Sequence, residues 1–255
     1  MAEFITSAGH GGVMLVTLNR PAKKNAINNQ MWDELTDAFL AAENSPDIAC
    51  LVLTGAGGNF SAGVDLSSFG EAGQGAGATE HPFDRCARTI AHFAKPWIGA
   101  ASGVAVGGGA TMLFHADLCY VGESLRMRLP FASLGLAPEF ASSYQLQANI
   151  GAQRAAELFY TAQWIDAEKA VRVGIAGAVY GDDELLDRAM EKAAEIAQWP
   201  VNALMEIKKT LRLPHRVHIE AAFTAERLGM ENQAGSPENI EAVMAFMEKR
   251  QPKFR

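Results

Sequence analysis

The stretch KPWIGAASGVAVGGGA, Lys95 to Ala110, changes character twice. Trp97 to Ser102 is apolar or small throughout, which reads as a strand covered on both faces. The glycines at 103 and 107 to 109 then form a turn, and ATMLFHA continues it into a buried helix. A buried strand feeding a helix through a glycine turn is one βαβ unit. The same order recurs on both sides of it. Val13 to Leu18 (VMLVTL) reads as a strand, and NRPAKKNAIN as a turn-rich connection. Met31 to Ala42 carries Trp32, Leu35, Phe39 and Leu40 at helical spacing. Asp47 to Thr54 (DIACLVLT) is a nearly unbroken apolar strand, followed by the glycine-rich loop GAGGNFSAGVDL. Phe69 to Gly77 is Gly/Ala-rich and reads as a mobile loop. Phe83 to Ala94 reads as a helix and Leu118 to Val121 as a fourth strand. Beyond Ser142 the chain is mostly helical, with an acidic-basic helical stretch from Asp182 to Lys249.

Bulk properties bound the function. At 255 residues and 49% apolar content, the chain can build a substantial core. A formal charge of −7 argues against a nucleic-acid surface. Cys50, Cys86 and Cys119 stand apart in apolar contexts, as expected for buried thiols in a reducing compartment. No secretory signal, 18-residue apolar run or Ser-Lys-Leu ending is visible, so the cytoplasm is the expected compartment. No Pro- or Ser-rich linker separates independent domains.

Two glycine-rich loops end apolar strands, which is where α/β folds bind ligands. Glycine lets backbone approach a ligand closely, and converging amides can hold an oxyanion. Both loops also suit plain tight turns that let helices pack on the sheet. Neither is a phosphate loop, because no Gly-Lys-Ser/Thr follows, and GVAVGGGA misses the dinucleotide fingerprint. The histidines form no metal pattern. His215 and His218 could share a helix face and read as surface or interface packing.

Four ordered motifs carry a resemblance. They are N-R-P-x-x-x-N-A at Asn19 to Ala26, F-S-A-G-V-D-L at Phe60 to Leu66, the Lys95 to Ala110 stretch, and F-M-E-K-R-Q-P-K-F at Phe246 to Phe254. Together they resemble the crotonase, or enoyl-CoA hydratase/isomerase, superfamily over nearly the whole chain. The resemblance implies an α/β fold with a spiral of ββα units over residues 1–195, and a C-terminal helical trimerisation region over residues 196–255. It implies acyl-CoA thioester substrates, no cofactor beyond the coenzyme A of the substrate, and a homotrimer or dimer of trimers. It assigns the oxyanion hole to the amides of Ala62 and Gly108. It places Ala62, Gly63, Val64, Asp65 and Leu66 along the coenzyme A site, with Lys24 and Lys249 as candidates for its phosphates.

The departures are informative. Hydratases of this superfamily carry a glutamate two residues after the glycine triplet, where this chain has Thr111. They carry a second after a proline some twenty residues on, where Phe131 follows Pro130. Adding water needs one group to activate it and another to deliver a proton. The segment LGLAPEFASSY, Leu134 to Tyr144, instead holds one charged residue, Glu139. It resembles the segment that carries the catalytic glutamate of peroxisomal-type Δ3,Δ2-enoyl-CoA isomerases. Burial would raise its pKa, and a helix start near Ser142 would lower it. The expected activity is a shift of a 3-enoyl-CoA double bond to 2-enoyl-CoA. The alternatives are another thioester reaction on this scaffold, of hydratase, dehalogenase or thioesterase type, or a non-catalytic acyl-CoA-binding protein. The helical tail, with Ile219, Phe223 and Leu228 as an apolar stripe, is expected to cover the core or a neighbouring subunit.

Overall fold

The computed structural model describes residues 4–65 and 80–254. Leu66 and the Phe69 to Gly77 loop lie outside the described residues. Strands β1 (Ile5–His10) and β2 (Val13–Leu18) form an antiparallel hairpin. Helix α1 (Asn29–Asn44) then leads to β3 (Cys50–Gly55), and α2 (Pro82–His92) to β4 (Trp97–Ala101). A short β5 (Val104–Val106) precedes α3 (Gly108–Thr111), followed by a 3-10 turn, β6 (Leu118–Gly122) and β7 (Arg126–Arg128). Next come α4 (Ser142–Ile150), α5 (Ala152–Thr161), β8 (Trp164–Asp166), α6 (Ala167–Val173) and β9 (Ala178–Tyr180). Four helices close the chain: α7 (Leu185–Ala197), α8 (Val201–Arg212), α9 (Arg216–Gln233) and α10 (Pro237–Met247).

The main sheet runs β1-β2-β3-β4-β6-β9, parallel from β2 onward. Both of its faces are covered, which explains the unbroken apolar run of β3. Leu51 and Leu53 face Trp32, Leu35 and Phe39 of α1, while Cys50 and Val52 face Leu185, Ala189 and Ala193 of α7. Strand side chains alternate between faces, so each must be apolar here. A second sheet, β5-β7-β8, stands beside the first. The three cysteines are buried and free, and burial pushes each thiol up to about 12.

The tail is bound to the core by buried polar contacts. Lys208 Nζ of α8 donates to Lys95 O and to Asp117 Oδ2, both at 2.7 Å. Arg212 donates to His115 O at 2.8 Å. Two of the three stripe residues, expected to cover the core or a neighbouring subunit, are used within the chain. Ile219 packs with Ala141 and Ala222, and Phe223 joins that cluster under Arg88. Leu228 stays 48% exposed, as do Leu211, Leu213, Val217, Phe246 and Met247, at 62% or more. No helix among the described residues is long and apolar enough to cross a membrane.

Candidate active site

The loop after β3 and the strand before α3 run side by side. Ser61 pairs with Ala105 as an isolated parallel bridge, through Ser61 N–H to Val104 O and Val106 N–H to Ser61 O. Gly63 has φ of +87°, and a methyl group there would lie 2.4 Å from Val106 O and 3.7 Å from Gly108 N. Only glycine permits that approach. The register therefore carries Val64 alongside Gly108.

The opposite edge of the loop is tied to the Asn19 to Ala26 motif. Buried Asn25 donates to Ala56 O and Asn59 O, and its carbonyl accepts from Ser61 Oγ. Lys24 and Asn25 both adopt positive φ, at 49° and 55°. This turns Lys24 O toward the loop, where it accepts the Ala62 N–H at 2.9 Å. The Ala62 amide is thus committed and does not point at a ligand, contrary to the expectation from the motif. An extended chain alternates its amides, so Ile27 N–H bonds Gly63 O, and Asp65 N–H bonds Ile27 O. Among the described residues the Val64 N–H has no acceptor, and the Gly108 N–H has none either at the start of α3. Both amides are free to stabilise an oxyanion.

Glu139 stands against the turn of Gly107 and Gly108. A methyl group on Gly108 would lie 3.2 Å from Glu139 Oε1 and 3.3 Å from Cη2 of Trp32, and one on Gly107 would lie 3.8 Å from the same oxygen. The backbone that presents it is unusual. Phe140 and Ala141 are both left-handed, at φ 64° and 51°. Such residues cost of order 1–3 kcal/mol each and persist only when their surroundings fix them. Phe140 is fully buried among Trp32, Phe83 and His115, at centroid distances of 6.3, 5.7 and 5.6 Å. His115 Nε2–H donates to Phe140 O at 2.7 Å, and burial holds this histidine neutral, with its pKa pushed down to about 3. From the other side Glu226 of α9 accepts Ala141 N–H at 2.6 Å and Ser143 N–H at 2.7 Å. The turn faces Phe140 inward and leaves Glu139 partly exposed at the glycine loops.

Burial raises the Glu139 carboxyl to about 8, helped by the charges of Glu226 and Asp84. Desolvation has prevailed over the helix start at Ser142. Asp84 at the start of α2 is raised above its ordinary value by burial, against the pull of His81, Arg88 and Arg227. The positions of the two hydratase glutamates are filled by buried Thr111 and Phe131. No group of three or more His, Cys, Asp or Glu among the described residues suits a metal ion.

A sequence model of the family "enoyl-CoA hydratase/isomerase" matches residues 8–255. The chain belongs to this family. Its crotonase-type architecture follows from solved members. An enoyl-CoA hydratase/isomerase from Pseudoalteromonas atlantica superposes with a TM-score of 0.93 at 31% identity, covering 99% of this chain and 100% of the other. OdaA of Pseudomonas aeruginosa gives 0.90 at 33% identity, covering 96% and 99%. Among characterised relatives, the 1,2-epoxyphenylacetyl-CoA isomerase of Escherichia coli K12 is 33% identical, over 100% of this chain and 99% of that protein. The 2,3-dehydroadipyl-CoA hydratase of the same strain is 32% identical over 100% and 99%.

Within this enoyl-CoA hydratase/isomerase chain, the other sequence candidates scatter. Asp65 forms an ion pair with Arg20 at 2.5 Å, which anchors the loop end. The Lys24 side chain is exposed beside the loop. Lys249 is exposed at the end of α10, and no contact among the described residues joins it to Glu139 or Gly108. His215 and His218 both pack on Tyr144, whose hydroxyl meets His215 Nδ1 at 2.8 Å. Glu226 and His115 went unread as site residues, because nothing local marks either. The Val64 amide was legible in principle, since amides alternate along an extended loop.

Proposed function

We propose that the protein shifts the double bond of a 3-enoyl-CoA to the 2-enoyl position through an enolate. The observation that supports this is one carboxyl, Glu139, lying against the Gly108 turn, where the amides of Gly108 and Val64 are unbonded. Glu139 in its ionised form takes a proton from C2 of the substrate. Electron density from that C–H bond moves into the thioester, whose oxygen becomes the enolate oxyanion between the two N–H groups. The enolate collapses with the double bond now between C2 and C3, and Glu139 returns the proton at C4. One acid/base and one oxyanion hole suffice, with coenzyme A as part of the substrate and no other cofactor. The trimer or dimer of trimers belongs to the same reading, supported by the exposed apolar residues of the last helices.

Hydration is the second reading, favoured by one observation. Asp84 is a further carboxyl with a raised pKa, and its charge acts on Glu139. It would have to serve as the second acid, since Thr111 and Phe131 cannot ionise. A spectrophotometric screen of 3-enoyl, 2-enoyl and aryl thioesters separates the two. Turnover of 3-enoyl-CoA with negligible hydration of 2-enoyl-CoA is expected. Fast hydration that collapses in Asp84→Asn would reject the isomerase reading.

A further inference from the structure

Glu226 reaches the turn that carries Glu139 from α9, whose Ile219 and Ala222 pack on the same turn. Its two oxygens each accept one backbone N–H, from Ala141 and Ser143, at the first turn of α4. It is 6% exposed, and no cation is paired with it among the described contacts. A carboxylate accepts at both oxygens, whereas a neutral acid would turn a hydroxyl toward one of these donors. The helix start supplies partial positive charge in place of a cation. Glu139 lies two residues before Ala141, so two carboxyls share one buried turn. Like charges in one site resist ionising together, and the group without hydrogen bonds to its charged form keeps its proton longer.

We infer that Glu226 is a positioning residue for Glu139: its charged carboxylate clamps the left-handed Phe140-Ala141 turn and sets a second negative charge beside the Glu139 carboxyl. This rests on reading Glu139 as the acid/base. The direction of the Glu139 shift agrees, because Glu226 is the largest charge contribution to it after burial. Burial raises Glu226 too, while the Ser143 and Ala141 bonds pull it back. The other groups facing this turn are His81, Asp84 and Arg88 on α2, His115 after α3 and Arg227 on α9. Lys208 and Arg212 of α8, and His92, act on His115. None of these bonds the amides that Glu226 holds.

Two variants separate charge from shape. Glu226→Gln keeps one acceptor and removes the charge. Glu226→Asp keeps the charge and draws the acceptors back by one methylene. Infrared difference spectra against pH follow the carboxylic-acid band that is lost in Glu139→Gln, without any substrate. In Glu226→Gln the midpoint of that band is expected to fall by about half a pH unit or more, and the acid limb of kcat/KM to move with it. In Glu226→Asp the midpoint is expected to stay near the parent's, while kcat falls roughly ten- to a hundredfold from a loosened turn. A folded Glu226→Gln protein with an unmoved or higher midpoint overturns the inference. If that variant does not fold, Glu226→Asp decides: a lowered midpoint with the charge retained overturns it. Should the band respond as expected while 3-enoyl-CoA is not turned over, the proposed reaction fails and the role of Glu226 stands.

Discussion

Replacing Glu139 by Gln should change stability and turnover in opposite directions, and the pH dependence of the first is worked from the site. The folded pKa, about 8, lies above the ordinary 4.5. The native state therefore binds a proton that the unfolded chain releases between those values. By linkage, the stability this group contributes is fully present below about pH 4.5 and is lost as pH rises through about 8. Glutamine has no proton to lose. At about 1.4 kcal/mol per pH unit the interval corresponds to a ceiling of about 5 kcal/mol. Water in the pocket screens the partly exposed carboxylate, so about 2 kcal/mol is a realistic gain for Glu139→Gln at pH 9. For a chain of this size that is about 4–8 °C in thermal midpoint. Paired denaturation scans of variant and parent at pH 4.5 and pH 9 read the difference, since all other groups cancel. Turnover of 3-enoyl-CoA should meanwhile fall by about a hundred to ten thousandfold, the range for a lost general base. A stability difference that does not change with pH would refute the buried-acid account. Isomerisation that survives the substitution would place the base elsewhere.

Gly108→Pro removes one of the two free amides, so turnover in the folded variant should drop roughly a hundredfold or more. Normal steady-state rates in that variant would end its assignment. Gly63→Ala puts a methyl group 2.4 Å from Val106 O at a φ of +87°, and should cost about 2 kcal/mol or more together with activity. Urea unfolding checks this, and an unchanged midpoint would mean the two loops are not rigidly joined. Light scattering at micromolar concentration should give a trimer or hexamer, and a monomer there removes the assembly claim.

The parts legible in the sequence are those whose signal is local. β2, β3, β4 and β6 are long apolar runs, because each is buried on two sides, and periodicity places α1 and α2 within a few residues. β1 was missed because ITSAGH lies exposed at the sheet edge and carries no alternation. β7, β8 and β9 have three residues each, too few for a period. At the site, neighbouring glycines and apolar residues drew attention to Glu139 and Gly108, while the roles expected of them came from the family resemblance. The swap from Ala62 to Val64 turned on where Lys24 O points, which depends on two positive-φ residues in a distant turn. Glu226 sits in an ordinary amphipathic helix, and its role exists only through a contact spanning 85 residues.

That span has a consequence for biosynthesis. A ribosome adding 5–20 residues per second needs about 4–17 s to travel from Ala141 to Glu226. Through that interval β1 to β4, β6 and α1 can already be assembled, while the turn that presents Glu139 lacks its clamp. The emerging chain thus acquires its scaffold early and its reactive group late. A product cut short before α9 would keep the glycine loops and the aromatic packing of Phe140, but lack the carboxylate that ties down the turn beside Glu139.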